Sequence, residues 1–448
     1  LEFPAKQERR KEKGEFGMTN DKKTEHKMGR RQFLGATAAA GFMIIKPHLV
    51  RGTAANSQVQ MGVLGCGGRG TAVASGFVTN TNTRIVALAD LFEDQLAKGQ
   101  RRFDALQKDK GYAPIASDQL FKGPKAYEQI IASKEPDFIL ITTPPYFHPQ
   151  HLEAVVAGGK HVYCEKPVGV DVSSALRVIS IGERAKGKLS LAVGFQIRNA
   201  TPFVELTRRI HNGAIGKISS GQVYYYAGHI DRPDWPGASE PERRLRNWVW
   251  DRVLSGDIIV EQNIHVIDVT NWVMQAHPLS ASGGGGRNVR TDAGDCFDGF
   301  NLTFNYPDDV HITFSSTQFN KGWWDVCERF FGSKGVSEAH YEAPVAIYGE
   351  EPWDFFKGAG TEAKPSGEFS TAGTFKGALD DADPMKQKAF IESITSGNFL
   401  NQAALGAESA LTAMLGRTAA YTGRSVTWDE LLNSNETWDA HLDISKMG

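Results

Sequence analysis

The stretch that decides the fold reads Val59-Gln60-Met61-Gly62-Val63-Leu64-Gly65-Cys66-Gly67-Gly68-Arg69-Gly70. An apolar strand runs into a Gly-x-Gly-x-x-Gly turn, and a second apolar run, Ile85-Val86-Ala87-Leu88-Ala89, ends at Asp90. In such a unit the first glycine permits the tight turn, the second lets backbone approach a pyrophosphate, and the third packs helix on strand. The pyrophosphate then sits at the positive N-terminus of the following helix. A carboxylate twenty residues beyond Gly70 accepts ribose hydroxyls and repels a 2′-phosphate. Gly65, Gly67, Gly68, Arg69, Gly70 and Asp90 are therefore expected to hold a dinucleotide, NAD rather than NADP. Arg101 and Arg102 keep NADP as the lesser alternative.

Outward from this turn, to about residue 165, strand and helix alternate as a doubly wound parallel sheet requires. The apolar runs Phe138–Thr142 and His161–Cys164 predict further strands, with helices over Tyr127–Ser133 and His151–Ala157. After about residue 200 the texture changes. Alternating strands are predicted at Ile218–His229, Phe297–Tyr306, Val310–Phe319 and Glu328–Gly332, the pattern of a mostly antiparallel sheet. Helices close the chain near Pro384–Ser396 and Ala404–Thr422, while Gly283–Gly286 and the 355–380 stretch read as loops. The expected fold class is α/β: a Rossmann domain over 58–195, then an α/β domain with a large open sheet over 196–448.

Residues 1–57 read as a leader outside this fold. Arg30-Arg31-Gln32-Phe33-Leu34 precedes an alanine-rich apolar run to Ile45, the pattern of a twin-arginine export signal. The run falls short of the ~20 residues that cross a bilayer. Cleavage after Ala55 is expected, with an uncleaved anchor as the alternative. Export implies a periplasmic protein, one that folds in the cytosol around a tightly held cofactor. The first 55 residues carry 12 Lys and Arg against 6 Asp and Glu, which leaves the body at −8 of a total −2. A mildly acidic body argues against nucleic acid or an anionic membrane as partner. The four cysteines show neither metal spacing nor a disulfide framework.

Two clusters carry chemistry. Gly159-Lys160-His161-Val162-Tyr163-Cys164-Glu165-Lys166-Pro167 puts Lys166 at the C-terminal end of a parallel strand, the edge where open α/β sheets bind ligands. The bland alternative is a solvated lysine paired with Glu165. Glu261-Gln262-Asn263-Ile264-His265 begins a helix-like segment whose i,i+4 spacing puts carboxylate and imidazole on one face. His265 is the natural acid/base near neutral pH, and Glu261 can orient it or pair with Lys166. The structural alternative is a buried His265 bonded to Asp268. Metal ligation by Glu261 and His265 lacks a third ligand at suitable spacing, so no metal is expected. The loops His229-Ile230-Asp231-Arg232-Pro233-Asp234-Trp235 and Arg243-Arg244-Leu245-Arg246-Asn247-Trp248 mix aromatic and hydrogen-bonding groups in a way that suits polyols. From them His229, Trp235, Arg246 and Trp248 are candidate substrate ligands.

From residue 58 to 430 the chain resembles the Gfo/Idh/MocA family (glucose–fructose oxidoreductase / inositol dehydrogenase-like). The resemblance rests on the glycine turn, Thr143-Pro144 with His148, Gly159-Lys160-His161-Val162 leading to Glu165-Lys166-Pro167, Gly194-Phe195-Gln196-Ile197-Arg198, and Gly416-Arg417 through Trp428. It implies a catalytic lysine at Lys166 and a catalytic histidine at His265. It also implies that Thr143, Pro144 and His148 line the dinucleotide, with Gln196 and Arg198 near nicotinamide or substrate; Glu165 and Lys166 are likewise expected to border the cofactor. The family usually has aspartate where this chain has Glu261. The open sheet of the family often serves oligomerisation, so a homo-oligomer, dimer or tetramer, is expected.

The leading expectation is an NAD-dependent oxidoreductase acting on a sugar, sugar derivative or cyclitol. A redox-neutral glycosidase working through transient C3 oxidation is the second reading, with Tyr224, Tyr225 or His229 as its extra base. A non-catalytic sugar or nucleotide sensor is the third.

Overall fold

The structure is a computed structural model that describes residues 58–447 except 293, 361, 363–368, 371–372 and 374. The expected leader lies outside the described residues. Six strands form the first sheet: β1 (Val59–Leu64), β2 (Thr83–Asp90), β3 (Leu120–Lys122), β4 (Phe138–Ile141), β5 (His161–Cys164) and β6 (Leu191–Val193). Their order is β3-β2-β1-β4-β5-β6, and every pairing is parallel. Parallel strands need both faces covered, which is why these runs are apolar throughout rather than alternating. Val59, Met61 and Val63 pack on one face with Phe77 and Phe103 from the helices Gly68–Asn80 and Glu93–Asp109. Ile139, Ile141 and Val162 pack on the other with Val155 and Val178 from the helices His148–Ala157 and Val172–Ala185. The strand order reverses between β1 and β4, so a crevice opens beyond their C-terminal ends.

Chain position does not respect the boundary between the two units. The helix Ala382–Ser396 returns to the first sheet, where Phe390 meets Phe77, Phe138 and Tyr163 with ring centroids 5.1 to 6.0 Å apart.

The second sheet has nine strands: β7 (Ile218–Gly228), β8 (Ser280–Gly286), β9 (Gly299–Tyr306), β10 (Val310–Asn320), β11 (Asp325–Gly332), β12 (Gly335–His340), β13 (Val345–Gly349), β14 (Trp353–Asp354) and β15 (Val426–Thr427). The order is β14-β13-β12-β11-β7-β10-β9-β8-β15, antiparallel except for β7 against β10. Alternation sets its two faces. Val223, Tyr225, Ile312 and Phe314 face helices such as Ile264–Met274 and Ala403–Thr422, while Tyr224, Tyr226, Thr313 and Ser315 stand on the opposite face.

Two expectations about loops are corrected. Gly283–Gly286 lies in β8, in continuous register with β9 from Ser280↔Asn305 to Gly286↔Gly299. Pairing with a neighbour overrides the low strand preference of glycine, which is a statement about local side chains only. The 355–380 stretch contains the helix Phe355–Ala359 and a short 3₁₀ turn at Gly377–Leu379. All four cysteines are buried free thiols. Among the described residues no helix is long and apolar enough to cross a membrane.

Candidate active site

The glycine turn is built for close approach. Gly65 adopts φ +99°, and its amide donates to the Ala89 carbonyl at 2.8 Å. A side chain on Gly70 would place Cβ 2.1 Å from the Gly65 carbonyl oxygen and 2.6 Å from the Thr142 hydroxyl. Cβ positions at Gly67 and Gly68, by contrast, meet nothing within 4 Å, and both residues border the cavity beyond the turn. The helix that starts at Gly68 has no side-chain cap and no acidic residue in its first turn. An uncapped positive terminus facing a cavity fits a diphosphate.

One cleft runs from β2 past β4 to the second unit, in two chambers that share Thr142, Thr143 and Trp248 as walls. The larger, about 390 Å³, holds Gly65, Gly67, Gly68 and Asp90 together with Pro144 and His151. Asp90 is 9% exposed; its carboxylate accepts the amides of Cys66 at 2.7 Å and Phe92 at 2.9 Å. Burial raises its pKa above the ordinary aspartate value, and the two amides oppose that rise. Each oxygen keeps a lone pair for a ribose hydroxyl. His151, missed in the sequence, contacts the Thr143 hydroxyl at 2.9 Å, and burial pushes it down to about 3, so it is neutral. His148 spans the carbonyls of Thr143 and Pro167 at 2.7 and 2.6 Å, tying together two walls of the cleft.

The smaller chamber, about 210 Å³, brings Lys166, Glu261 and His265 to one place, with Arg69, Glu165, Gln196, Tyr225, Phe369 and Phe375 around them. Lys166 Nζ donates to the Glu261 carbonyl at 2.5 Å and to its carboxylate at 3.0 Å. Glu261 and His265 do not share one helix: Ile258–Glu261 ends, Gln262 and Asn263 turn, and a new helix runs over Ile264–Met274. A terminal helical carbonyl has no intrahelical donor, so the break frees the Glu261 carbonyl for the lysine. Glu165 accepts from Arg69 rather than pairing with Lys166, and its other oxygen is buried without a partner. Asp268 likewise is not the partner of His265. It accepts from Arg198 at 2.8 and 3.0 Å and from Ser409 at 2.7 Å. His265 Nδ1 is buried and unpartnered, and burial, then the charges of Lys166 and Arg69, hold the ring well below the usual histidine pKa.

Residues 59–195 match the model of an oxidoreductase family with an NAD-binding Rossmann fold, and residues 203–338 match the C-terminal domain of the same family. The chain belongs to the Gfo/Idh/MocA family. It is an NAD-dependent oxidoreductase. An inositol 2-dehydrogenase of Rhizobium meliloti (strain 1021) is 24% identical over 320 residues, 68% of this chain and 85% of that protein. A glycosyl hydrolase family 109 protein of Streptomyces niveus is 28% identical over 208 residues, 45% of this chain and 39% of that protein. A levoglucosan dehydrogenase solved with NADH and levoglucosan superposes with a TM-score of 0.63 at 18% identity, covering 83% of this chain and 99% of that one.

This Gfo/Idh/MocA member gathers only part of what its sequence suggested for substrate. Arg198 lies outside both chambers, held by Asp268 and stacked 5.3 Å from Trp272. His229 sits at the exposed end of β7 beside Asp231 and lines neither chamber. Trp235 and Arg246 line the larger chamber with the glycine turn, not the lysine chamber, while Trp248 borders both. Tyr224 points to the outer face and donates to Asp325. Arg101 and Arg102 are exposed on the helix after β2 and line neither chamber. Tyr225 is the aromatic residue of that strand that reaches the lysine chamber; Phe369 and Phe375 had no signal in a stretch without periodicity.

Proposed function

We propose that this family member oxidises a secondary hydroxyl of a sugar, sugar derivative or cyclitol in the lysine chamber. The observation that carries the reading is the convergence of Lys166, Glu261 and His265 on one chamber that adjoins the glycine turn. Bound NAD supplies the hydride acceptor. An ammonium has three N–H groups, and Glu261 takes two of them, which leaves one to donate to the substrate oxygen. His265, neutral through burial, accepts the hydroxyl proton. Glu261 keeps the amine aimed and its charge balanced. The rings of Tyr225, Trp248 and Phe375 offer apolar walls for C–H faces, while Glu165 and Gln196 offer hydrogen-bonding groups. The names of the inositol and levoglucosan dehydrogenases support this substrate class.

The test is a panel of inositols, anhydrosugars, aldoses and aryl glycosides, read at 340 nm and separately for aglycone release. Reduction of NAD by a polyol is expected. Aglycone release with no net reduction overturns the proposal in favour of the redox-neutral glycosidase.

We also propose that the Arg30-Arg31 leader exports the folded chain to the periplasm and that the outer face of the second sheet joins copies of it. Trp323, 58% exposed and 5.7 Å from Tyr226, supports such a contact. Cell fractionation of an R30K/R31K variant and the solution mass of a W323E variant test these two statements.

A further inference from the structure

Behind the lysine chamber, and lining neither cavity, stands a buried arginine. Arg290 follows β8, where the amides of Asn288, Val289 and Arg290 donate to the Asp298 carboxylate at 3.1, 2.8 and 2.7 Å. Asp298 is buried, so the turn that carries Arg290 is clamped from within. The Arg290 side chain is 3% exposed, and Asp292 balances its charge. Its other N–H groups donate to the Ile230 carbonyl at 3.1 Å and to Gln318 Oε1 at 3.3 Å.

A guanidinium only donates, and that constraint passes along a row of buried amides. Gln318 turns its oxygen to Arg290, which leaves its Nε2 to donate to Gln262 Oε1 at 3.5 Å. Asn263 Nδ2 donates to the same oxygen at 3.4 Å and takes its second lone pair. Gln262 is 7% exposed and lines the lysine chamber. Its oxygen is engaged from behind, while among the described residues nothing accepts from its Nε2. The reverse orientation would set three N–H donors against one another in a buried place. Gln196, the other amide in this chamber, is spent at both ends: it accepts from Arg69 and donates to the Gly373 carbonyl.

We propose that Gln262 binds substrate by donating to an oxygen lone pair of the polyol, away from the carbon being oxidised, and that Gln318 and Arg290 are positioning residues that fix the direction of this bond. The proposal rests on the reading of the lysine chamber as the site of polyol oxidation. Lys166 and His265 serve the reacting hydroxyl, which many sugars share. A directed donor elsewhere on the ring distinguishes among them. A hydroxyl or ether oxygen satisfies it, whereas a methylene leaves the amide unpaired, so a deoxy compound is rejected. Fluorine in place of that hydroxyl keeps a weak acceptor and removes the proton, which separates a donor on the protein from an acceptor.

The experiment measures NAD reduction by the full chain with myo-inositol, D-glucose and levoglucosan, then with the monodeoxy and monodeoxyfluoro derivatives of the best of them. At one position other than the oxidised one, the deoxy compound is expected to lose about tenfold or more in kcat/KM and the fluoro compound less. Gln262→Leu should raise KM for the parent compound by a similar factor and flatten the contrast at that position alone. Gln318→Glu is the sharper variant. A carboxylate there still accepts from Arg290 but has no N–H for Gln262, whose amide turns over to donate to it and shows its oxygen to the chamber. The fluoro compound should then fall below the deoxy one, a reversal that loosened packing does not produce. No such position in the wild type, an unchanged parent KM in Gln262→Leu, or an unchanged order in Gln318→Glu overturns the proposal while leaving polyol oxidation intact. Should Gln318→Glu fail to fold, the Gln262→Leu series decides. Wild-type protein that reduces NAD with none of the three compounds overturns the underlying reading, and this assignment with it.

Discussion

Replacing Lys166 by Met separates chemistry from structure. At 3.0 Å, two unit charges at an effective dielectric of about 20 attract by about 5 kcal/mol before any desolvation is counted. Lys166 and Glu261 are 12% and 18% exposed, enough burial for removal of the amine to strand a carboxylate and a helix-terminal carbonyl together. Breaking such a pair costs about 3 kcal/mol of folding stability. The catalytic cost is separate: loss of a single donor to a developing oxyanion lowers kcat by roughly 10²–10³. Urea unfolding and NADH formation with the best substrate of the panel measure the two effects. The informative partner is Lys166→Met/Glu261→Gln, which removes the stranded charge. It should regain most of the lost stability and none of the lost kcat. Recovery of kcat alongside stability would show that Lys166 matters only as the partner of Glu261, and the catalytic assignment would fall.

Three further outcomes follow from the same geometry. Gly70→Ala drives a methyl group to within 2.1 Å of the Gly65 carbonyl oxygen, so turn and helix must part at about 1–3 kcal/mol, and calorimetric titration should show NAD affinity reduced at least tenfold. Arg198→Ala strands Asp268, which is 1% exposed, and should lower unfolding stability by about 3 kcal/mol while leaving KM for the substrate unchanged; a raised KM would return Arg198 to the substrate. Glu328 is buried with both carboxylate oxygens unpartnered, and burial raises its pKa well above the usual glutamate value. The folded chain therefore holds a proton that the unfolded chain releases above about pH 4.3, so stability from this group is lost as pH rises from there toward the folded pKa, at up to about 1.4 kcal/mol per unit. Glu328→Gln should remove that slope in urea titrations across pH, and an unchanged slope would place the charge elsewhere.

The chemistry of the turn was legible because it is local. Glycine spacing, flanking apolar runs and Asp90 lie within 32 residues, and each acts through backbone that its own neighbours fix. The lysine at the end of β5 was legible for the same reason. What was hidden depends on distant packing. Whether Asp268 turns to His265 or to Arg198 is decided by how the helix Ile264–Met274 sits against residues seventy positions earlier. The break after Glu261 leaves no proline or glycine in the sequence, and the left-handed Asp257 (φ 78°) before it is set by bonds from Phe297 and Tyr421, far along the chain. Arg246 and Trp235 have the composition of a polyol site, and composition does not say which of two adjoining chambers a loop will cover.

Arg69 stands in the phosphate turn yet donates to Gln196, whose own amide holds the Gly373 carbonyl at 2.8 Å, on the segment that carries Phe369 and Phe375 into the lysine chamber. Two bonds thus join the floor under one ligand to the wall around the other. A diphosphate drawing on that guanidinium tugs at the far wall, and a substrate pressing on the wall is felt at the turn. Such a linkage is reciprocal: whatever affinity the carbohydrate gains from a nucleotide already in place, the nucleotide gains equally from the carbohydrate.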